Sequence, residues 1–95
     1  MGTMIAIMTV TGRDHTGIIA AVATALANLG VNIRNVSQTI MDDWFTMILH
    51  VEFDDDGPGG ERLTVIQDRM TGVEAEQKLV IRIQSQALFD AMHSV

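Results

Sequence analysis

The sequence predicts an α+β domain in which four strands and two main helices follow one another in the order βαββαβ. Short apolar runs bounded by glycines or aspartates are typical of strands, and two longer segments carry apolar residues at helical spacing. The chain has 95 residues, of which 47% are apolar. That length suits one domain with one core and leaves no room for a second.

The first unit is a strand followed by a helix. Met4 to Val10 is a mostly apolar run stopped by Thr11-Gly12, which predicts a strand buried on both faces. Ile18 to Leu29 is rich in alanine, so it predicts an amphipathic helix that permits close packing. Gly30 stands where a helix C-cap favours a left-handed residue. The predicted inward residues of the helix are Ile18, Val22, Leu26 and Leu29.

The middle of the chain predicts a hairpin. Val31 to Met41 is strand-like, but its alternation changes phase, so we expect a bulge near Arg34-Asn35. Asp42-Asp43 forms a short turn. The second strand alternates cleanly, with Phe45, Met47, Leu49, Val51 and Phe53 on its inward face.

The last part of the chain predicts a loop, a helix, a strand and a short terminal helix. Asp54 to Gly60 is a solvated loop, Glu61 to Thr71 is a helix closed by Gly72, and Gln77 to Gln84 is a strand. Ser85 can cap the terminal helix. The expected inward residues are Leu63, Ile66 and Met70 of the helix, Leu79, Ile81 and Ile83 of the strand, and Leu88, Phe89 and Met92 of the terminal helix.

Right-handed crossovers fold two such units into a four-stranded antiparallel sheet with both helices on one face. This is the ferredoxin-like plait, here extended by the short C-terminal helix, and we expect it to cover residues 4–93. The other face of the sheet is a mixed surface that could be solvated or paired. It is expected to show Thr46, Ile48, His50, Lys78, Val80 and Arg82.

Composition excludes several classes of function. The chain has no cysteine, which excludes disulfides, thiol nucleophiles and Cys-ligated metals, and fits a cytoplasmic protein. The net charge of −6 and an aromatic content of 4% argue against nucleic-acid binding. No apolar run reaches the roughly 18–20 residues that cross a bilayer, so we expect no membrane partner.

The turn from Thr11 to Gly17 is the main candidate site. Its two glycines bracket polar residues at a helix N-terminus, where free backbone N–H groups and the helix dipole favour an anion such as a carboxylate. Gly17 also permits close approach of a ligand. The alternative is that Asp14 or Thr16 only caps the helix, which local sequence by itself favours.

Other chemistry finds less support. His15, His50 and His93 lack metal-ligand spacing, and Asp54-Asp55-Asp56 lacks the spacing of a calcium loop, so we expect no metal and no cofactor. No nucleophile motif or phosphate loop is present. An enzyme of the acylphosphatase type would have to use Arg13 with Asn35 or Asn32, in a loop that does not match that signature.

The sequence resembles the ACT domain family, and most closely the stand-alone single-domain proteins related to the glycine cleavage repressor. The resemblance rests on Val10-Thr11-Gly12-Arg13-Asp14-His15-Thr16-Gly17-Ile18-Ile19, on Leu29-Gly30-Val31-Asn32-Ile33, on residues 33–46 and on the tail from Ile83 to Met92. It covers nearly the whole chain, from Met4 to Met92.

The resemblance implies a regulatory module that binds an amino acid or a similar ligand at a subunit interface. Ligand contacts in the family come from the first loop and from the Asn that opens the second strand. In this chain they correspond to Gly12, Arg13, Asp14, His15, Thr16, Gly17, Ile18 and Asn32. Some serine-binding members carry His and Asn where this chain has Gly12 and Asp14. The Asp14 carboxylate would repel a ligand carboxylate and attract an ammonium group.

The resemblance also implies a homodimer and an effector protein of unknown identity. The strand Asn32–Met41 offers an unpaired edge that a two-fold partner can cover, and the alanine-rich face of Ile18–Leu29 suits close approach. Two alternatives stay open at this point. One is a protein-docking module without a small ligand, and the more remote one is the acylphosphatase-like enzyme.

Overall fold

The computed structural model describes residues 2–55, without the side chain of Asp55, and residues 61–92. Its elements follow the predicted order. They are β1 (Gly2–Arg13), α1 (Ile18–Asn28), β2 (Asn32–Met41), β3 (Trp44–Asp55), α2 (Glu61–Gln77), β4 (Leu79–Ser85) and α3 (Gln86–Met92). No helix in the described ranges is long and apolar enough to cross a membrane.

The four strands form one antiparallel sheet in the order β2-β3-β1-β4, which confirms the predicted plait. The first strand is longer than predicted: it does not stop at Thr11-Gly12 but continues to Arg13. It continues because both neighbouring strands pair with it there, with Gly12 opposite Phe45 on one side and opposite Leu79 on the other. Two ladders of hydrogen bonds outweigh the weak strand preference of one glycine.

The core lies between one face of the sheet and the helices α1 and α2. Alternate residues of β3 and β4 point into it, so the expected inward set of these two strands is confirmed. Leu29 and Leu63 are only partly buried at its margin. The most deeply buried large side chains are Met8, Leu26, Met47, Leu49, Ile66 and Met70.

The end of α1 has the predicted glycine cap. Gly30 has a left-handed φ of 73°. Its N–H donates to the carbonyl of Ala27 over 3.0 Å, and the N–H of Val31 donates to the carbonyl of Leu26 over 3.0 Å. This pair of bonds is a Schellman motif, which satisfies carbonyls that the helix leaves free. Arg62 of α2 donates to a further carbonyl, that of Leu29, over 2.6 Å.

The second helix does not end at Gly72 as predicted. It runs on to Gln77, because Val73 continues the buried stripe begun by Ile66 and Met70. A glycine inside a helix costs about 1 kcal/mol relative to alanine, which burial of one valine offsets. The helix ends instead at Lys78, whose φ of 57° is left-handed. The last strand therefore begins at Leu79 rather than at Gln77, and Lys78 lies outside the sheet.

The hairpin of β2 and β3 has the predicted irregularity, since its register shifts between Ile33 and Asn35. The strand β2 lies at the edge of the sheet, as expected. The predicted loop Asp54–Gly60 begins later than expected, because β3 includes Asp54 and Asp55. The rest of that loop and His93 lie outside the described residues.

The second face of the sheet is partly covered by α3, which contacts β1 and β4. Ser85 caps this helix as predicted, because its hydroxyl accepts the N–H of Leu88 over 3.2 Å. Phe89 and Met92 line a small cavity against Ile7 of β1, but Leu88 and Met92 are 50% and 56% exposed, so the predicted inward set of α3 is not buried. The expected apolar face of α3 therefore covers only one end of the sheet.

Candidate functional site

The loop between β1 and α1 is short, comprising Asp14 to Gly17. Two of the predicted site residues, Gly12 and Arg13, lie in β1 and not in the loop. Gly17 is the N-cap of α1, with a left-handed φ of 94°, and no side chain caps the helix. The interpretation of Asp14 or Thr16 as a helix cap is therefore wrong. The first turn of α1 keeps its N–H groups free of a side-chain cap.

Backbone and ionic contacts fix the start of the loop to the β2–β3 turn. The N–H of Asp14 donates to the carbonyl of Asp43 over 2.7 Å. The Arg13 guanidinium forms an ion pair with the Asp43 carboxylate, and both side chains are largely exposed. An exposed pair of this kind contributes little stability, but it holds the Arg13 side chain against the turn.

His15 fixes the other side of the loop to the end of α2. Its Nε2 lies 2.9 Å from the carbonyl oxygen of Gln77, and its Nδ1 lies 3.0 Å from the carbonyl oxygen of Thr16. Carbonyl oxygens only accept, so both contacts are hydrogen bonds when the ring carries two protons. The Gln77 carbonyl, then the Thr16 carbonyl and the nearby Asp14 carboxylate raise the pKa of His15 above its usual 6.5.

A groove of about 390 Å³ opens beside this loop. The loop and the first residues of α1 form one wall, and Gln38, Ile40 and Phe45 of the hairpin form the other. Gly17 has no atom within 4 Å of the place where a Cβ would stand. A ligand can therefore come close to the backbone at the helix N-terminus.

The groove combines three kinds of surface. The helix N-terminus offers partial positive charge and N–H donors, which suit a carboxylate. Asp14 offers a negative charge at the rim, and Gln38 offers an amide. Ile40 is 52% exposed, so the apolar wall is accessible. This arrangement fits a small zwitterion with an apolar or amphipathic side chain.

Asn32 does not belong to this groove within one chain. It opens β2 opposite Glu52, whereas the loop follows Arg13, which pairs with Trp44 at the other end of the sheet. The ten residues of β2 span about 30 Å at about 3.3 Å per residue. The eight predicted site residues thus fall into a group at the loop end and Asn32 at the far end.

The sequence did not single out Gln38, Ile40, Phe45 or Gln77 as parts of this region. The change of alternation in β2 was the feature of the sequence that could have indicated Gln38 and Ile40. After the bulge, Val36, Gln38 and Ile40 share the helix-side face with Leu49, Met47 and Phe45, their partners on β3. The contact between His15 and Gln77 had no signal, because it depends on α2 continuing beyond Gly72.

The remaining candidates are not assembled into a centre. Arg13 lies at the loop end of the sheet, whereas Asn35 pairs with His50 well along the hairpin, so the two do not share a site. His50 is half-buried on the second face. In the ranges that the structure describes, no cluster of three histidines or carboxylates could hold a metal.

The family model of the ACT domain matches residues 6–62. A UPF0237 protein of Corynebacterium efficiens is 70% identical over 97% of this chain and all of its own length. A UPF0237 protein of Streptococcus mutans is 38% identical over the same share of this chain and its own full length.

Among solved structures, an ACT domain protein from Streptococcus pneumoniae superposes with a TM-score of 0.78 at 36% identity. The match covers 94% of this chain and 97% of that one. A putative glycine cleavage system transcriptional repressor gives a TM-score of 0.75 at 18% identity, covering 88% of this chain and 46% of that chain. The second likeness shows the shared fold alone.

Proposed function

This chain belongs to the ACT domain family, and we propose that it is a regulatory module that binds a small molecule with the chemistry of an amino acid. ACT domains are in general regulatory ligand-binding modules. The observation that carries the proposal is the N-terminus of α1, which has no side-chain cap and opens into the groove beside the loop. A ligand carboxylate can supply the acceptor that a capping side chain supplies elsewhere.

The proposed pose places each part of an amino acid against a matching surface. The α-carboxylate lies at the N–H groups that follow Gly17, and the ammonium group lies toward Asp14, which would repel a carboxylate. The side chain of the ligand packs on Ile40, which is 52% exposed. Gly12, Arg13, His15 and Thr16 shape the approach, because they position the loop from β1, from the turn at Asp43 and from α2.

We place Asn32 in the same site through a homodimer. The edge strand β2 carries Val36, which is 51% exposed, and Ile40 toward the helix side. If two β2 strands pair antiparallel about a two-fold axis, the start of one lies beside the end of the other. Asn32 of the partner subunit then lies at the loop end of the first chain, where it can donate to the ligand.

A thermal-shift screen against the twenty common amino acids tests this proposal. A ligand that binds only the folded state at about 100 times its Kd stabilises the protein by about 2.7 kcal/mol. We expect one amino acid, or a small chemical group of them, to raise the melting temperature. Asp14→Ala and Asn32→Ala should abolish that rise, and Asn28→Ala, at the exposed end of α1, should keep it.

The second candidate is a protein-docking module without a small ligand. Met41 and Trp44, which are 70% and 52% exposed at one end of the sheet, favour it because together they present an apolar patch. The absence of any melting shift with all twenty amino acids would support this candidate. In either case the module acts through an effector protein, and we place it in the cytoplasm. Within residues 2–55 and 61–92, no assembled site favours the acylphosphatase-like alternative.

A further inference from the structure

The sheet has two edge strands, β2 and β4. Side chains form hydrogen bonds with the outward backbone groups of β4. An open edge presents N–H and carbonyl groups that pair with any extended strand, including that of another copy. In an antiparallel pair, alternate residues turn both groups toward the neighbour and the others turn both groups away. In β4 the N–H of Ile81 and the carbonyl of Ile83 face outward, since each forms a hydrogen bond with a side chain of α2.

Three side chains occupy this outward edge of β4. The Glu74 carboxylate accepts the N–H of Ile81 over 2.7 Å, and the Gln67 amide donates to the carbonyl of Ile83 over 3.3 Å. Arg82 donates to the carbonyl of Ile81 over 3.1 Å. An incoming strand would need these same groups, so it would have to displace all three side chains.

Helix geometry explains why α2 can do this. Gln67 and Glu74 are seven residues apart, which is close to two turns, so they lie on one face of α2. That face borders β4 across a narrow cleft of about 220 Å³. Arg82 also lies 3.4 Å from Glu74 and neutralises its charge. The Glu74 side chain is 24% exposed, so water competes less for it than for a fully exposed carboxylate.

The edge of β2 is different. Among the hydrogen bonds in residues 2–55 and 61–92, none runs from a side chain to the backbone of β2. Its residues from Arg34 to Met41 are all exposed. The backbone of β2 is therefore open to pairing with another strand, whereas side chains already bond to the outward backbone groups of β4.

We propose that Glu74 and Gln67 block the β4 edge, so that copies of this chain associate through β2 alone and form a closed pair instead of an extended row of sheets. A molecule with two open edges can add copies at both, and such addition gives an open row wherever the rotation between copies does not close a ring. The block keeps assembly at the two-fold pair. This inference rests on the proposed β2 dimer for the final assembly, but the block itself is a property of one chain.

The test compares the wild type with the double variant Gln67→Ala/Glu74→Ala. Light scattering after gel filtration, from micromolar to millimolar concentration, should give a constant dimer mass for the wild type. The mass of the double variant should rise with concentration to at least about twice that of the wild type, because its β4 edge is open. Glu76→Ala is the matched control, since Glu76 lies on the side of α2 that faces Ala20 and Thr24 of α1.

Amide hydrogen exchange separates the block from the dimer. At low concentration, Glu74→Ala should speed exchange of the Ile81 amide by about tenfold or more, since a lost hydrogen bond of about 1.4 kcal/mol is a factor of ten. Glu74→Gln should keep most of the protection, because its amide oxygen still accepts. Circular dichroism confirms that each variant is folded.

The outcomes are distinct. A wild type that is monomeric, with the Ile81 amide protected by Glu74, would overturn the β2 dimer and leave the block standing. A double variant that keeps the wild-type mass at every concentration would overturn the block as a control of assembly. Unchanged exchange at Ile81 in Glu74→Ala would overturn the contact on which it rests.

Discussion

Replacing Gly12 by alanine should destabilise the fold, although alanine is normally the better residue inside a strand. Gly12 is buried in β1 between β3 and β4. A Cβ built on it would lie 2.7 Å from Cδ2 of Leu79 and 3.2 Å from the carbonyl oxygen of Lys78. The Leu79 methyl can rotate away only into a filled core, since Leu79 is 6% exposed. The Lys78 carbonyl belongs to backbone fixed in a left-handed turn.

The magnitude follows from two opposing effects. Overpacking of a filled core costs about 1–3 kcal/mol. Removing the conformational freedom of a glycine returns about 0.5–1 kcal/mol. The net loss is about 1–2 kcal/mol, which lowers the melting temperature of a domain of this size by about 5–15 °C.

The assay is thermal unfolding followed by circular dichroism, with Gly2→Ala as the matched control. Gly2 is also in β1, but a Cβ there would meet nothing within 4 Å. The control should melt like the wild type. A Gly12→Ala variant that melts at or above the wild-type temperature would show that β4 does not approach β1 this closely, and the reasoning would be refuted.

Three further predictions follow from the loop and from α2. Gly72→Ala should stabilise the protein by about 0.5–1 kcal/mol in denaturant unfolding, because Gly72 lies inside α2 and its Cβ would make only an ordinary contact with Arg69; destabilisation would indicate that the helix ends at Gly72. Gly17→Ala should cost about 1–2 kcal/mol from its left-handed φ alone and should also abolish the ligand-induced melting shift; an unchanged shift would move the ligand away from the α1 N-terminus. Folding raises the pKa of His15. Its contribution to the free energy of unfolding is therefore complete below about pH 6.5, the pKa in the unfolded chain, and is lost as the pH rises through the folded pKa. The melting temperature of the wild type should therefore exceed that of His15→Ala by more at about pH 5.5 than at about pH 8.5. An equal difference at both pH values would contradict the hydrogen bond from His15 to the Gln77 carbonyl.

The sequence predicted the fold well where the pattern is local. The alternation from Phe45 to Phe53 and the glycine at the end of α1 depend on neighbours in sequence. The strand β3, its buried face and the cap at Gly30 are accordingly confirmed. The predictions at Gly12 and Gly72 were wrong for the same physical reason. Each glycine is a local stop signal that tertiary contacts override, through two strand ladders in one case and a buried Val73 in the other.

The candidate site was predictable only in part. The loop from Asp14 to Gly17 was visible as a polar turn at a helix N-terminus, and the structure adds that no side chain caps that helix. The opposite wall, Gln38 and Ile40, comes from a strand whose face depends on the bulge near Asn35. The distance between Asn32 and the loop depends on how the strands pair in the sheet, so the motif residues alone do not predict it.

The central claim is that the N-terminus of α1 receives the carboxylate of an amino acid in the groove beside the loop. Titration of the ¹⁵N-labelled protein with each of the twenty amino acids, followed by amide chemical shifts, tests it most directly. We expect one amino acid, or one chemical group of them, to shift the amides of Gly17, Ile18 and Ile19 most strongly, together with Gln38. Saturable shifts confined to the second face of the sheet, near Ile48 and Val80, or no shifts with any of the twenty, would contradict the account.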